Sequence, residues 1–214
     1  MCRTAFLNKY YLLFILWLSC NGKKEALPFY NTPDFTPLFI EHTEKVDELV
    51  PHRISDFSFK NQNGETISQS DIEGKIHVAN FFFTSCGSIC PVMTQNLKKV
   101  SDYFKNDSNI VFLSYSVTPR IDSVPRLKAY QEKNGITNTH WYFLTGEQSK
   151  IYHLARTSYF AEEDLGYTKD STDFLHTEHI LLIDKTKRIR GIYNGTLKTD
   201  MENLIQDINL LEDE

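Results

Sequence analysis

The sequence predicts an α/β domain built on a central mixed sheet. Three observations predict it. Two nearly continuous apolar runs, 76–84 and 110–117, have the composition of strands buried on both faces. Stretches with apolar residues at helical spacing lie between and after them, the first at positions 93, 97, 100 and 104. The chain then closes on two more short apolar strands and a last helix. Strands that alternate with helices argue for a sheet covered by helices.

The elements follow in order. Residues 56–59 alternate, Asn63-Gly64 marks a tight turn, and Thr66-Ile67 resumes the alternation, which predicts an N-terminal β-hairpin extension. The run 76–84 is the first buried strand, and 91–104 is a helix with Pro91 in its first turn, where a missing N–H is tolerated. Residues 110–117 form the second strand. Residues 123–134 form a helix closed by Gly135. A short strand over 141–144 and a helix over 148–155 come next. Strands over 179–184 and 188–193 join at Lys185-Thr186-Lys187. Thr199-x-x-Glu202 has the form of a capping box, opening a helix with Met201, Leu204, Ile205, Ile208 and Leu211 inward. A hairpin, then β-α-β-α-β-α, then β-β-α is the thioredoxin-like variety of the α/β class.

Charge and composition exclude several roles. Lys plus Arg is 23 against 28 Asp plus Glu, a net charge of −5, so nothing draws the chain to nucleic acid. Hydrophobic residues at 41% and aromatics at 13% exclude intrinsic disorder. No run of about 18 uncharged apolar residues exists, which excludes a polytopic membrane protein. Residues 1–20 instead have the parts of a secretory signal: Arg3 and Lys9, then an apolar run over 10–18, then Ser19-Cys20. That run is too short for a bilayer core, which needs about 20 residues. Cys20 after a small residue resembles a bacterial lipoprotein signal, in which this Cys is lipidated, although Trp17 stands where a small aliphatic residue is usual. A plain membrane anchor and a cleaved soluble form are the alternatives. Residues 21–50, with Pro28, Pro33 and Pro37, form a tether and extended lead-in, and 51–214 form the folded domain. Such a chain resides in the cell envelope, facing the periplasm or outer side. Of the 4 cysteines, Cys2 is lost and Cys20 capped, which leaves Cys86 and Cys90 in an oxidising compartment.

These two stand where a buried strand gives way to a helix, at the end of the sheet where open α/β folds place their sites. Free N–H groups of the first helical turn favour thiolate over thiol. With i,i+4 spacing on one helical face the sulfurs can meet at one point. Three readings stand: a structural disulfide, which would restrain little in so short a loop; a redox pair, although three residues intervene where two are usual; and two legs of a soft-metal site. The third needs another ligand, for which a histidine is the expected donor. His42 and His52 fall in the lead-in, His77 at the far end of its strand, His140 at a strand start and His153 on a helix face. His176 and His179 precede the apolar run 180–183. Spacing alone does not choose between them.

The string Thr84-Ser85-Cys86-Gly87-Ser88-Ile89-Cys90-Pro91-Val92-Met93, with His176 and Leu182-Ile183-Asp184 far downstream, resembles the Sco/SenC family. Ser114, Pro119 and Asp122, Leu127 with Tyr130, the 141–146 segment, Arg190-Gly191-Ile192-Tyr193 and Gly195-Thr196 agree, so the resemblance spans 51–212. It implies a thioredoxin-like, membrane-tethered copper protein of cytochrome c oxidase assembly. The family's histidine lies eight residues before the acidic end of a strand; counted back from Asp184, that is His176. The resemblance thus implies copper, as Cu(I) or Cu(II) and one per chain, held by Cys86, Cys90 and His176, and a copper-site subunit of cytochrome c oxidase as recipient. The alternative is a thiol–disulfide oxidoreductase that keeps the oxidase cysteines reduced, with Cys86 attacking, Cys90 resolving and a thioredoxin-like reductant behind it. A peroxidase lacks its usual threonine and cysteine motif here, and a scaffold without chemistry leaves the cysteine pair unexplained. The chain departs from the family at Gly87, where many members have proline, at Leu175, where an acid is common, and at Thr118, which replaces an acid ahead of Pro119. Thr118 and Asp122 together bear on the family's acidic partner-facing surface.

Overall fold

The computed structural model describes residues 26–40, 45–161 and 177–214. The lead-in carries β1 (Phe29–Tyr30), β2 (Pro37–Leu38) and a single helical turn, α1 (Val46–Leu49). A hairpin of β3 (Ser58–Lys60) and β4 (Thr66–Ser68) follows. Then come β5 (Ile76–Phe82), α2 (Ile89–Tyr103), β6 (Ile110–Ser116), α3 (Val124–Lys133), β7 (Trp141–Leu144) and α4 (Gln148–Thr157). After the segment 162–176, which lies outside the described residues, β8 (His179–Ile183), β9 (Ile189–Asn194) and α5 (Lys198–Glu212) complete the fold.

Seven strands form one sheet in the order β2-β1-β9-β8-β5-β6-β7. β5, β6 and β7 run parallel, β8 runs antiparallel to β5, and β9 antiparallel to β8, so the sheet is mixed as expected. Every residue of β5 and of β6 is buried. Their side chains alternate between two cores. Val78 and Phe82 face one that α2, α3 and α5 cover with Met93, Leu97, Leu127, Leu204 and Ile208. Ala79 and Phe81 face the other, covered by Ile151, Tyr152 and Leu154 of α4 and by Phe57, Phe59 and Ile67 of the hairpin. Burial on both faces is why these strands have no polar alternation. Polar side chains in these strands form a chain: Trp141 Nε1 donates to Ser114 Oγ at 2.9 Å, and Ser114 Oγ donates to Asn80 Oδ1 at 2.6 Å.

The strand directions decide where the site sits. β5, β6 and β9 leave the sheet, and β8 enters it, at the same end. That end is the mouth of the fold. Gly135 closes α3 with φ +62, the left-handed cap its position predicted.

Three local expectations need adjustment. Asn63-Gly64 lies in a tight turn as expected, closed by Gly64 N–H to Asn61 O at 3.0 Å, but the turn begins at Asn61, whose side chain the sequence reading did not use. The Asn61 side chain accepts the N–H groups of Asn63 at 2.9 Å and Glu65 at 3.0 Å, and so organises the turn around Gly64, whose φ is +81. The capping box at Thr199 and Glu202 is absent. α5 starts at Lys198 with Leu197, a residue without a side-chain acceptor, as its N-cap, and Asp200 accepts from the N–H of Asn194 at 2.8 Å. Third, the lead-in is bound along the sheet edge. Tyr30 pairs with Ile189, and two buried arginines, Arg188 just before β9 and Arg190 within it, hold the lead-in backbone. Arg188 Nε donates to Val50 O at 2.9 Å; Arg190 donates to Leu27 O at 2.9 Å and Pro28 O at 3.1 Å, lies over the Phe29 ring at 4.0 Å and pairs with Glu214. Strands two residues long have no periodicity to read.

Candidate dithiol and metal site

β5 ends at Phe82 and α2 begins at Ile89, so 83–88 is the loop that presents the cysteines. Cys86 N–H donates to Phe83 O at 3.3 Å, which folds 83–86 into a turn. Cys86 therefore stands three residues ahead of the helix, where the sequence had placed both cysteines on one helical face. The turn still returns its sulfur to the start of α2. Both thiols are free, Cys86 half-buried and Cys90 buried. Pro91 is the third residue of α2, where the helix leaves N–H groups unpaired.

The two thiols are chemically unlike. Partial burial pushes the Cys86 thiol up. Hydrogen bonds from the Cys90 and Ser88 backbone N–H groups, and from the Cys90 and Ser88 side chains, outweigh it and bring Cys86 down to about 7. Burial pushes Cys90 up to about 12; the Phe83 backbone opposes this, and the bond and charge of Cys86 add to it. Ser88 Oγ lies 3.8 Å from Cys86 Sγ. The arrangement is an accessible, activated sulfur over a shielded one. Tyr130 closes the side of the site, its ring 5.4 Å from Phe82 and its hydroxyl 2.8 Å from Thr94 Oγ1. Burial pushes it up to about 12, with Thr94 opposing and the cysteines and Asp122 adding. A Cβ on Gly87 would meet nothing within 4 Å, so packing alone does not demand glycine there.

The histidines separate by position. His77 starts β5 at the end remote from the cysteines, is buried, and bonds Tyr159 OH at 3.2 Å; burial pushes it down to about 3, a neutral core imidazole. His52 stacks on Phe160 at 4.2 Å and bonds Ser158 O at 2.8 Å. His140 precedes β7 at the remote end, and His153 is exposed on α4. His179 is at the mouth, but its ring packs against Phe35 at 5.9 Å. Phe35 belongs with the core that α4 covers, on the opposite side of the sheet from Cys90 and α2. His42, His176, Leu175 and Cys20 lie outside the described residues, and among the described residues no three His, Cys, Asp or Glu side chains converge on one point.

Sequence reasoning notes Asp122 as kept from the family pattern but gives it no role; its exposure is 0%. Its carboxylate accepts from Thr84 N–H at 3.2 Å, from Thr84 Oγ1, from Ser116 Oγ at 2.7 Å and from Thr118 Oγ1 at 3.1 Å. Thr84, Ser116, Thr118 and Asp122 had given the signal: short hydroxyl side chains around one acid, at the ends of two adjacent strands.

The sequence model described as SCO1/SenC matches residues 47–211. The chain belongs to the SCO1/SenC family. A SCO1/SenC family lipoprotein of Bacillus anthracis is 29% identical and superimposes with a TM-score of 0.66 over 75% of this chain and 95% of its own. BsSco, a member of the Sco family of cytochrome c oxidase assembly proteins in which a disulfide switch is identified, is 27% identical, with a TM-score of 0.64 over 76% and 94%. Copper-bound ScoI of Bradyrhizobium japonicum, 23% identical, matches in fold with a TM-score of 0.58 over 73% of this chain and 98% of its own. The mixed sheet flanked by helices is the thioredoxin-like fold of these Sco proteins. Among the described residues no helix is long and apolar enough to cross a membrane.

Proposed function

We propose that this SCO1/SenC protein is a copper-binding metallochaperone that delivers copper to the binuclear copper site of a cytochrome c oxidase subunit. Copper is its cargo, bound by the thiolates of Cys86 and Cys90 and by the imidazole of His176. The observation that carries the reading is the pair of free sulfurs gathered at the start of α2, one of them held as a good thiolate by backbone N–H groups. Thiolates are soft donors that select copper(I), zinc or iron–sulfur. The family resemblance implies the third ligand, His176; in support of it, the chain enters β8 at the mouth and His179, the neighbouring candidate, packs against Phe35 on the other face of the sheet. The family's part in oxidase assembly, as in BsSco, supplies the recipient. Transfer is by ligand exchange with the recipient's thiolates.

Anaerobic titration of the soluble domain tests this. The expected result is one copper per chain, lost in Cys86→Ala, with Cu(II) binding damaged more by His176→Ala than by His179→Ala. Failure to bind copper overturns the reading, and the reverse histidine order overturns the ligand assignment. The N-terminus is proposed as a lipidated anchor at Cys20 on the outer side of a membrane, in keeping with the Bacillus anthracis lipoprotein. The intact mass of the membrane-extracted protein, with or without a diacylglyceryl group, decides it.

The contrast between Cys86 and Cys90 favours a second reading, thiol–disulfide exchange on the oxidase cysteines. A low thiol that is half exposed attacks, and a high buried one resolves. Reduction of a peptide disulfide by metal-free protein supports it. Inertness in that assay, together with copper binding, leaves the chaperone role alone.

A further inference from the structure

Behind the cysteine pair lies a buried polar group centred on Asp122. Thr84 is the second residue of the turn that Cys86 closes. Both polar groups of Thr84, its N–H and its hydroxyl, are given to the Asp122 carboxylate. With its single hydroxyl proton donated there, Thr84 Oγ1 accepts from Arg126 Nε at 2.6 Å. Arg126 Nε also lies 3.6 Å from Asp122 Oδ1. On the other side, Ser116 Oγ and Thr118 Oγ1 anchor the carboxylate to the end of β6 and the turn after it. An ionised carboxylate with four donors and a neighbouring guanidinium is a fixed point, since hydrogen bonds to a charged group are about twice as strong as neutral ones.

We propose that Asp122, Thr84 and Arg126 form a clamp that positions Cys86 and holds the Cys86–Cys90 pair open as a dithiol. In the structure both thiols are free, with Cys86 packed against the core cluster that holds Cys90, and a disulfide requires about 2.05 Å between the sulfurs. Closing to that distance moves Cys86, and with it the turn whose Thr84 is bound twice to a buried anion. The clamp therefore opposes closure. Asp122, Thr84 and Arg126 are positioning residues, acting through the backbone of the turn. The inference rests on Cys86 and Cys90 as the working pair and goes beyond the copper reading in assigning their redox poise to residues that touch neither sulfur.

Equilibration of the metal-free protein in dithiothreitol buffers, with acid quench and thiol trapping for mass analysis, measures the couple. Two thiol protons and two electrons leave as one S–S bond forms, and the S–S bond of cyclic oxidised dithiothreitol takes them up to give the dithiol. Thr84→Val, which keeps the shape and the N–H but removes the hydroxyl, shifts the equilibrium about tenfold toward the disulfide, about 30 mV more reducing. Thr84→Ser restores the couple to within about twofold of the parent, and Arg126→Gln falls between. Asp122→Asn shifts it in the same direction as Thr84→Val; circular dichroism checks that each variant is folded, and Thr84→Val decides the matter if Asp122→Asn is not. A folded Thr84→Val within about twofold of the parent, or shifted the opposite way, overturns the clamp while leaving the pair's function standing. A parent pair that does not titrate reversibly overturns the clamp, and the exchange reading with it.

Discussion

The two ends of β5 bury ionisable groups in opposite ways. At the remote end, His77 sits among aromatic rings with a single hydroxyl partner, Tyr159, which also touches Tyr115 OH at 3.1 Å. At the mouth, Asp122 is equally buried but receives four hydrogen bonds and faces a guanidinium. Desolvation therefore governs the first and removes its charge, while at the second four directed donors fix the carboxylate in place and organise a loop around it. Burial alone makes an inert core. Burial with directed donors makes a scaffold, and above it the half-exposed Cys86 gathers N–H groups of its own.

The largest expected effect is the difference between the thiols. Iodoacetamide at pH 7 should label Cys86 more than about a thousandfold faster than Cys90, because only thiolate reacts and the two groups sit at about 7 and about 12. Peptide mapping reads the ratio, and comparable rates would remove the distinction between accessible and shielded sulfur. Next, Asp122→Ala should cost about 3 kcal/mol in urea unfolding, since it strands four donors near the mouth. His77→Phe at the other end should cost less than about 1 kcal/mol, because Tyr159 keeps Tyr115. Equal costs would mean that the two ends are built alike.

Acid sharpens the comparison further. His77 is lowered in the fold from 6.5 to about 3, so between those values the unfolded chain binds the proton and the folded chain does not. Stability is intact above the unfolded value and declines as pH falls below it, by about 1.4 kcal/mol per unit. Parent minus His77→Phe should show about 2 kcal/mol of that loss between pH 6.5 and 5. A flat difference would place a proton-accepting partner beside His77. The smallest effect is at α5: Thr199→Ala should change stability by less than about 0.5 kcal/mol, since Thr199 caps nothing, whereas Asp200→Ala should cost about 1 kcal/mol through its bond to Asn194.

Much of the architecture was readable before any coordinates. The buried strands β5 and β6, the stripe of Met93, Leu97 and Val100 on α2, and Gly135 after α3 are repetitive or stereochemically forced, and they appear where expected. The site was half readable. Cys86, Cys90 and Pro91 announce a strand-to-helix junction, but their i,i+4 spacing suggested a helix under both cysteines, and a turn replaces it. The lead-in strand β1 was invisible because its sheet partner, Ile189 of β9, is more than a hundred residues away and two residues carry no periodicity.

The amino-acid order by itself determined the class of fold, the family, and the two sulfurs at the head of α2, because period, turn chemistry and motif spacing act over a few residues. Only the tertiary structure decided that one thiol is activated and the other shielded, that His179 turns from the cysteines, and that Asp122 is a buried anchor. Those outcomes depend on desolvation and on donors brought together from β5, β6 and the turns beyond them, and such quantities exist only once the chain has folded back upon itself.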